Sequence, residues 1–570
     1  MDYERIVDSA RKKKKASLVL KGGRLVNVYD RTIRTADIAI EDGRIAGFGD
    51  YEGEQEVDLK GSFVAPGFID GHVHIESSMV TPPEFARLVL PKGTTTVIAD
   101  PHEIANVLGL PGIRFMLDAS ENIPLGVHVM LPSCVPATVH EKSGAVLRSD
   151  DLSALKDHPR VLGLGEVMDY VAVINNDPEI RKKIDLMPGR MVDGHAPDLV
   201  GDDLSAYIAA GVMTDHECTR VESLKERVAK GMYVHLREGS QTRNTQALLP
   251  GVSKDNSDRL LFCTDDKHPE DIVKEGHINY NVNLAIAHGI DPVDAIRMAT
   301  LNAATCYGLQ DIGGIAPGKR ADLIVFDSLE RIEPDRVYKD GVLVARKGKA
   351  LFEAHFDVPA SLTDTVRFAE VDLSLRLKSD RVRVIGLVEN NITTEALIRT
   401  VETKDGYFVP DPEQDILKIA VIERHHMTKK IGIGLVEGFG FTGGALAMTI
   451  SHDSHNLVVI GSADSDMELA MSRIKTIKGG IVIVRNGAVA SELPLEVGGI
   501  MTNRDGMDVQ RELRAMKREL ASMGLSERVA DPFISLAFLC LPVIPKLKLT
   551  VDGLFDVEPF EHVPIEGDRP

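Results

Sequence analysis

The sequence predicts an α/β protein: a (β/α)8 TIM-type barrel, a composite β-sandwich domain drawn from both flanks of the barrel, and an extra α+β C-terminal domain. Three observations predict it. Eight short apolar runs alternate with helical stretches over about 250 residues, the length such a barrel needs. Short strands bounded by turn signals precede that alternation and return after it. A last segment, 366–570, mixes strands and helices in no repeating order.

Taken in order, Leu18–Asn27, Ala36–Ile40 and Arg44–Phe48 read as strands around the turn Glu41-Asp42-Gly43. The barrel strands are Phe63–Ile69, Thr94–Ala99, Gly126–Leu131, Val161–Val167, Met191–Gly194, Val212–Asp215, Tyr233–Leu236 and Leu260–Cys263. Helical patterns such as Pro82–Leu90, Leu152–Asp157, Leu199–Ala210 and Glu222–Lys230 separate them. A doubly wound open sheet is the rival, but no Gly-rich dinucleotide fingerprint is present. Strands return at Ala321–Asp327, Val337–Val344 and Lys349–Phe352. The last segment carries strands at Val382–Leu387, Ile416–Ile422, Asn456–Ile460 and Gly480–Arg485, and helices at Asp464–Lys478 and Asp508–Met523. The expected domains are therefore 1–62 with 309–365, 63–308, and 366–570.

Composition narrows the function classes. A net charge of −20 opposes general nucleic-acid binding, which needs a basic surface. The one basic run, Arg11 to Lys15, reads as a solvated helix face or a loose terminus. No apolar run of about 18 residues and no signal-peptide pattern is present, so neither a membrane partner nor export is expected. Five scattered cysteines without CxxC spacing fit a reducing, cytoplasmic setting. A homodimer is the default expectation for a large enzyme of this kind.

The chemistry starts at His72-Val-His74, at the end of the first barrel strand. Residues i and i+2 of a strand share a side, so both imidazoles aim at one point, as a divalent metal requires. A lone His-x-His is weak. The C-terminal strand ends of a barrel converge on one mouth, however, and the later ones carry Glu166, His195, His216-Glu217 and Asp265-Asp266. Each alone has an ordinary structural reading; together His72, His74, Glu166, His195, His216 and Asp265 suit two divalent ions bridged by Glu166. Such a centre generates hydroxide near neutral pH, and Asp265 is placed to move a proton to a leaving amine. The chemistry is hydrolysis at an electrophilic sp² carbon.

The run Pro66-Gly-Phe-Ile-Asp-Gly-His72-Val-His74 and the later Asp311-Ile-Gly-Gly-Ile-Ala-Pro-Gly-Lys-Arg-Ala-Asp322 resemble the amidohydrolase superfamily over residues 18–350. Many members place a carboxylated lysine where this chain has Glu166. Single-metal deaminases carry His-x-x-Glu after the fifth strand, where this chain has His195-Ala-Pro-Asp198. Glu166, the sequences Glu76-Ser-Ser, Asp100-Pro-His102-Glu103 and Arg237-Glu-Gly-Ser240, and the motifs Gly438–Gly444 and Ser451–Asn456 together resemble the adenine deaminase family across nearly the whole chain.

That resemblance implies hydrolysis of adenine to hypoxanthine and ammonia, in purine salvage, at a two-metal centre of manganese or iron, with zinc accepted by the same donors. Glu76, Glu217 and Glu238 are candidates for the acid that protonates a ring nitrogen, each equally readable as an orienting group. His102 and Arg237 are candidate pocket residues, and His235 is expected to face away from the mouth. The His452-Asp453-Ser-His455 cluster reads as a polar hairpin loop, a cap over the barrel mouth or a second metal site. His425 and His426 read as surface residues. The Gly432–Gly444 loops lack a phosphate-cradle motif. The alternatives to a purine-base deaminase are an amide or cyclic-amide hydrolase of the same superfamily, and a non-catalytic scaffold.

Overall fold

The computed structural model describes residues 3–389, 391–411 and 414–567. Eight parallel strands form the barrel: β1 (Phe68–Val73), β2 (Thr94–Ala99), β3 (Gly126–Leu131), β4 (Val161–Val167), β5 (Met191–Gly194), β6 (Thr214–Asp215), β7 (Tyr233–Arg237) and β8 (Leu260–Cys263). They lie in two curved sheets, β1 to β5 and β6 to β8. One seam closes where Asp265 N–H donates to His72 O at 3.0 Å and His74 N–H to Asp265 O at 3.3 Å. The other closes where Met213 N–H donates to Val192 O at 3.0 Å. Val73, Val97, Leu236 and Phe262 from these strands belong to the main apolar core, where each side chain taken from water stabilises by about 1.5–3 kcal/mol.

The first predicted barrel strand is in fact two. Phe63–Pro66 belongs to the flanking sheet and Phe68–Val73 to the barrel, with Gly67 between them. A Cβ at Gly67 would lie 2.3 Å from Thr95 Oγ1, so only glycine lets the chain cross here. A hydrophobic run has the same period on both sides of such a break, which is why the sequence reads as one strand.

The two flanks unite in one nine-stranded sheet. Phe63–Pro66 is the zipper: it pairs in parallel with Ala16–Asn27 from the N-terminal flank and antiparallel with Leu323–Phe326 from the other. Leu20, Leu25, Ile38, Val64, Leu323 and Tyr338 pack as one apolar cluster on it.

The C-terminal segment builds an eight-stranded, mainly antiparallel sheet around Ile416–Ile422, which is buried along its whole length. Helix Asp464–Ile477 packs on this sheet. Helix Gly506–Ser522, started by the Asp505 carboxylate accepting Met507 N–H at 2.8 Å, packs on barrel helices Pro82–Val89 and Pro269–Lys274. Backbone bonds join the two parts as well: Thr502 N–H donates to Met79 O at 2.9 Å and Thr81 N–H to Thr502 O at 3.1 Å. This seating carries the loop Ser451–Asn456 over the C-terminal ends of the barrel strands.

Candidate metal centre

His72 lies in β1 and His74 just beyond it, both buried and on the same side as the two-residue period requires. His74 Nδ1–H donates to Asp100 O at 2.9 Å, which fixes the ring and leaves Nε2 3.1 Å from both Glu166 Oε1 and Asp265 Oδ1. His72 Nε2 stands 3.5 Å from Glu166 Oε1 and 3.7 Å from Asp265 Oδ1. Across the mouth, Glu166 Oε2 meets His195 Nδ1 at 2.7 Å and His216 Nε2 at 3.4 Å. The rings of His72 and His216 stack with centroids 4.4 Å apart. Glu166 thus sits between two pairs of histidines.

Burial opposes the charge on Glu166, yet the four histidines around it, with His195 at hydrogen-bond distance, hold it well below the usual carboxylate range. Burial likewise lowers the pKa of His216, but the Glu166 carboxylate outweighs that and pushes it up to about 9. His102, expected among the pocket residues, brings a fifth imidazole: its Nδ1 is 3.4 Å from Glu166 Oε1.

The donor set fits divalent cations. Both ring nitrogens of His72 and Glu166 Oε1 are buried without a hydrogen-bond partner, an unfavourable state that a cation relieves. His72, His74 and Glu166 offer ligand atoms within 4.8 Å of one another, as do Glu166, His195 and His216, and His72, His216 and Asp265. Imidazole with carboxylate is a donor set of first-row divalent metals.

Two family models match the chain: the amidohydrolase family over residues 63–349 and the adenine deaminase C-terminal domain over residues 391–561. Adenine deaminase 2 of Carboxydothermus hydrogenoformans is 50% identical over 563 residues, covering 98% of this chain and 99% of that protein. An adenine deaminase of Geobacillus kaustophilus is 46% identical over 570 residues, covering 98% of each. The chain belongs to the adenine deaminase family. Among solved structures, an enamidase of the amidohydrolase superfamily aligns with 59% of this chain and 96% of its own, at 20% identity and a TM-score of 0.45.

Within this family member, the three candidate ring-nitrogen acids part company. Glu217 faces the pocket, and Arg237 grips both its oxygens. Burial raises the Glu217 carboxyl's pKa, but the Arg237 charge wins and lowers it overall. Glu76 lies in an adjoining cavity beside Glu103 and His455, where burial pushes it up to about 7. Glu238 turns towards Lys267 and Arg243 and lines neither cavity at the mouth. Asp198, the fourth residue of His195-Ala-Pro-Asp198, is an exposed rim residue paired with Arg220 at 3.2 Å. His235 is buried with both ring nitrogens unpartnered and lines neither cavity.

An inner cavity of about 40 Å³ lies against Glu166 and Asp265, and a vestibule of about 630 Å³ adjoins it past His195, Glu217 and Arg237. Its roof comes from the C-terminal part: Ile392, Phe538, Leu541, Ile544 and His452. Of these only His452 had a sequence signal. The four apolar residues come together through tertiary packing, which no local period records. Asp100 was missed for a similar reason: beyond its carbonyl bond to His74, its Oδ2 accepts Glu166 N–H at 2.9 Å.

Proposed function

We propose that this protein hydrolyses adenine to hypoxanthine and ammonia with two divalent cations, manganese or iron, held by His72, His74, Glu166, His195, His216 and Asp265. The observation that carries the reading is Glu166, a carboxylate at the end of β4 that reaches both histidine pairs at once. Relatives at 45–50% identity over nearly the full chain bear the adenine deaminase name, which argues against the cyclic-amide hydrolase and scaffold alternatives.

The cations supply Lewis acidity that makes water a nucleophile near neutral pH. The residues do the rest. Asp265, its Oδ1 3.1 Å from His74 and its Oδ2 held by Arg237 at 2.8 Å, accepts the proton of the water that adds to C6. It returns that proton to the 6-amino nitrogen, so the C6–N6 bond breaks and ammonia leaves. The proton left on the added oxygen passes to N1 as the lactam forms, and Glu217, kept ionised by Arg237, accepts a hydrogen bond from that N1–H. The roof of Ile392, Leu541 and Ile544 covers the flat apolar ring and excludes bulk water.

Several broader readings go with this one. The domains run 1–62 with 309–365, 63–308 and 366–570, save that strand Phe63–Pro66 lies in the sheet of the first. The enzyme acts in the cytoplasm in purine salvage, as a homodimer; its five cysteines are free, and among the described residues no helix is long and apolar enough to cross a membrane.

The test is direct. Manganese-loaded protein mixed with adenine is expected to shift the ultraviolet spectrum to that of hypoxanthine and to release one ammonia per adenine. No shift and no ammonia would overturn the proposal.

A further inference from the structure

The loop Ser451–Asn456 is the part of the C-terminal sheet that touches the barrel's chemistry. It is a built structure. Asn456 Nδ2 donates to Lys142 O at 2.9 Å and Asp453 N–H to Glu141 Oε1 at 3.4 Å, both on a barrel loop. His425 Nε2–H donates to Ser454 O at 2.8 Å. His455 closes the turn with its N–H on Ser451 O at 2.7 Å and a backbone φ of 50°.

Glu103, His452 and His455 have ligand-type atoms within 4.8 Å of one another, so a further cation site is the first reading to weigh. The tautomers oppose it. Ser451 N–H donates to His455 Nδ1 at 3.3 Å, which places that ring's proton on Nε2, the atom facing Glu103 Oε2. An Nε2 that carries a proton cannot ligate a metal; it is the side of the ring that faces the carboxylate. His452 Nδ1 is 2.7 Å from Glu103 Oε1 and donates there. Glu103 is therefore a carboxylate clasp, accepting from His452 on Oε1 and paired with His455 beside Oε2.

The consequence lies at the other end of the His452 ring. With Nδ1 committed to Glu103, and the ring face stacked on Phe538 with centroids 4.4 Å apart, the orientation of His452 is set. Among the described residues its Nε2 has no hydrogen-bond partner, and the side chain lines the inner cavity with His74, Glu166 and Asp265. Glu217 borders the same cavity from the His195 and His216 side, at 3.7 and 3.4 Å from those rings. The Glu103–His452 pair borders it from the His102 side, with Glu103 Oε1 3.3 Å from His102 Nε2. A purine whose C6 faces Glu166 presents N1 on one flank and N7 on the other.

We propose that His452 reads the purine at N7: its Nε2, left as the acceptor once Nδ1–H is given to Glu103, accepts from the N7–H of the 7H tautomer, opposite the N1 edge held by Glu217. The C-terminal segment thereby supplies a specificity-determining residue to a site whose metal ligands all come from the barrel, and Glu103 is its positioning residue. This rests on the purine reading of the site. It predicts that the enzyme binds free bases bearing N7 in preference to 7-deaza analogues, because carbon at that position offers neither a lone pair nor an N–H.

The experiment is calorimetric titration of the manganese-loaded enzyme with the product hypoxanthine and with 7-deazahypoxanthine, neither of which is turned over. The parent is expected to bind hypoxanthine about tenfold more tightly, the size of one hydrogen bond. His452→Ala and the milder His452→Leu are expected to bind both ligands alike, with bound manganese and melting temperature unchanged. His452→Gln, which keeps a polar group in reach, is expected to restore part of the preference. Discrimination unchanged in both apolar variants overturns the proposal, and loss of manganese from them shows His452 to be a ligand and overturns it too. Adenine turnover by the parent, measured alongside, separates failure of this inference from failure of the deaminase reading.

Discussion

Arg237 donates to Asp265 Oδ2 at 2.8 Å, and both side chains are buried. The same guanidinium takes both oxygens of Glu217, so one planar cation aligns the carboxylate of Asp265 and the carboxylate proposed to meet the N1 edge. Lysine keeps the charge but not the fork. Arg237→Lys is expected to lower kcat/KM about 100-fold, the scale of a small misplacement of reacting groups. Arg237→Met removes the cation facing buried Asp265 and half-buried Glu217 and is expected to lose roughly 3 kcal/mol of stability as well. Steady-state kinetics and thermal melts check both. Parent-like kinetics in Arg237→Lys would show that the fork is not needed.

Glu166 belongs to two of the three ligand triads named above, so replacing it is expected to act on metal content before anything else. Glu166→Gln keeps the shape and removes the charge that five surrounding imidazoles face. Bound manganese, read by atomic absorption after gel filtration, is expected to fall from two per chain to one or fewer. The rate is expected to drop about 10³-fold, a loss of several kcal/mol of charge stabilisation. Two retained metals with full activity would remove Glu166 from the bridging role.

The barrel and its mouth were legible because both depend on short-range pattern. Strands such as Thr94–Ala99 and Val161–Val167 are continuous β-rich runs, and ligands at strand ends follow from where a barrel places its strand termini. The Gly67 break was not legible, because the need for glycine there comes from Thr95, a residue on a neighbouring strand. Glu76, Glu217 and Glu238 looked equivalent in sequence. What separates them is partners 20 or more positions away: Ile104 N–H for Glu76, Arg237 for Glu217 and Lys267 for Glu238. The roof over the site was invisible for the same reason, since Ile392 and Phe538 meet only through the folded C-terminal sheet.

Gly165 precedes Glu166, the carboxylate proposed to bridge the two cations, and its lack of a side chain leaves room for Asp100 beside it. A Cβ there would fall 2.2 Å from Asp100 Oδ2, the atom that receives Glu166 N–H. Asp100 also orients His74 through its carbonyl oxygen. Gly165→Ala is expected to displace Asp100 and loosen both ligands, weakening metal affinity about 10–100-fold, the range for outer partners of metal ligands. Titration with a metal-buffered chelator measures it. An unchanged affinity would mean that Asp100 moves without carrying Glu166 or His74.

Lys548 links the roof of the site to pH. Its side chain is buried, and Nζ donates to Ile392 O at 2.8 Å and Phe538 O at 3.0 Å, the carbonyls of two roof residues. Burial pushes its pKa down to about 7 from the ordinary lysine value. Below that value folded and unfolded chains both carry the proton, and the penalty for the buried charge is felt in full. Between about pH 7 and about pH 10.4 the unfolded chain holds more protons than the folded one, so stability gained through this group rises with pH. Lys548→Met cannot titrate. Denaturant unfolding of both proteins is therefore expected to show the parent gaining on the variant from about pH 6 to about pH 9.5, by at most about 1.4 kcal/mol per pH unit. A flat difference across that window would show that the folded protein keeps the ammonium charged, held by its two carbonyl partners.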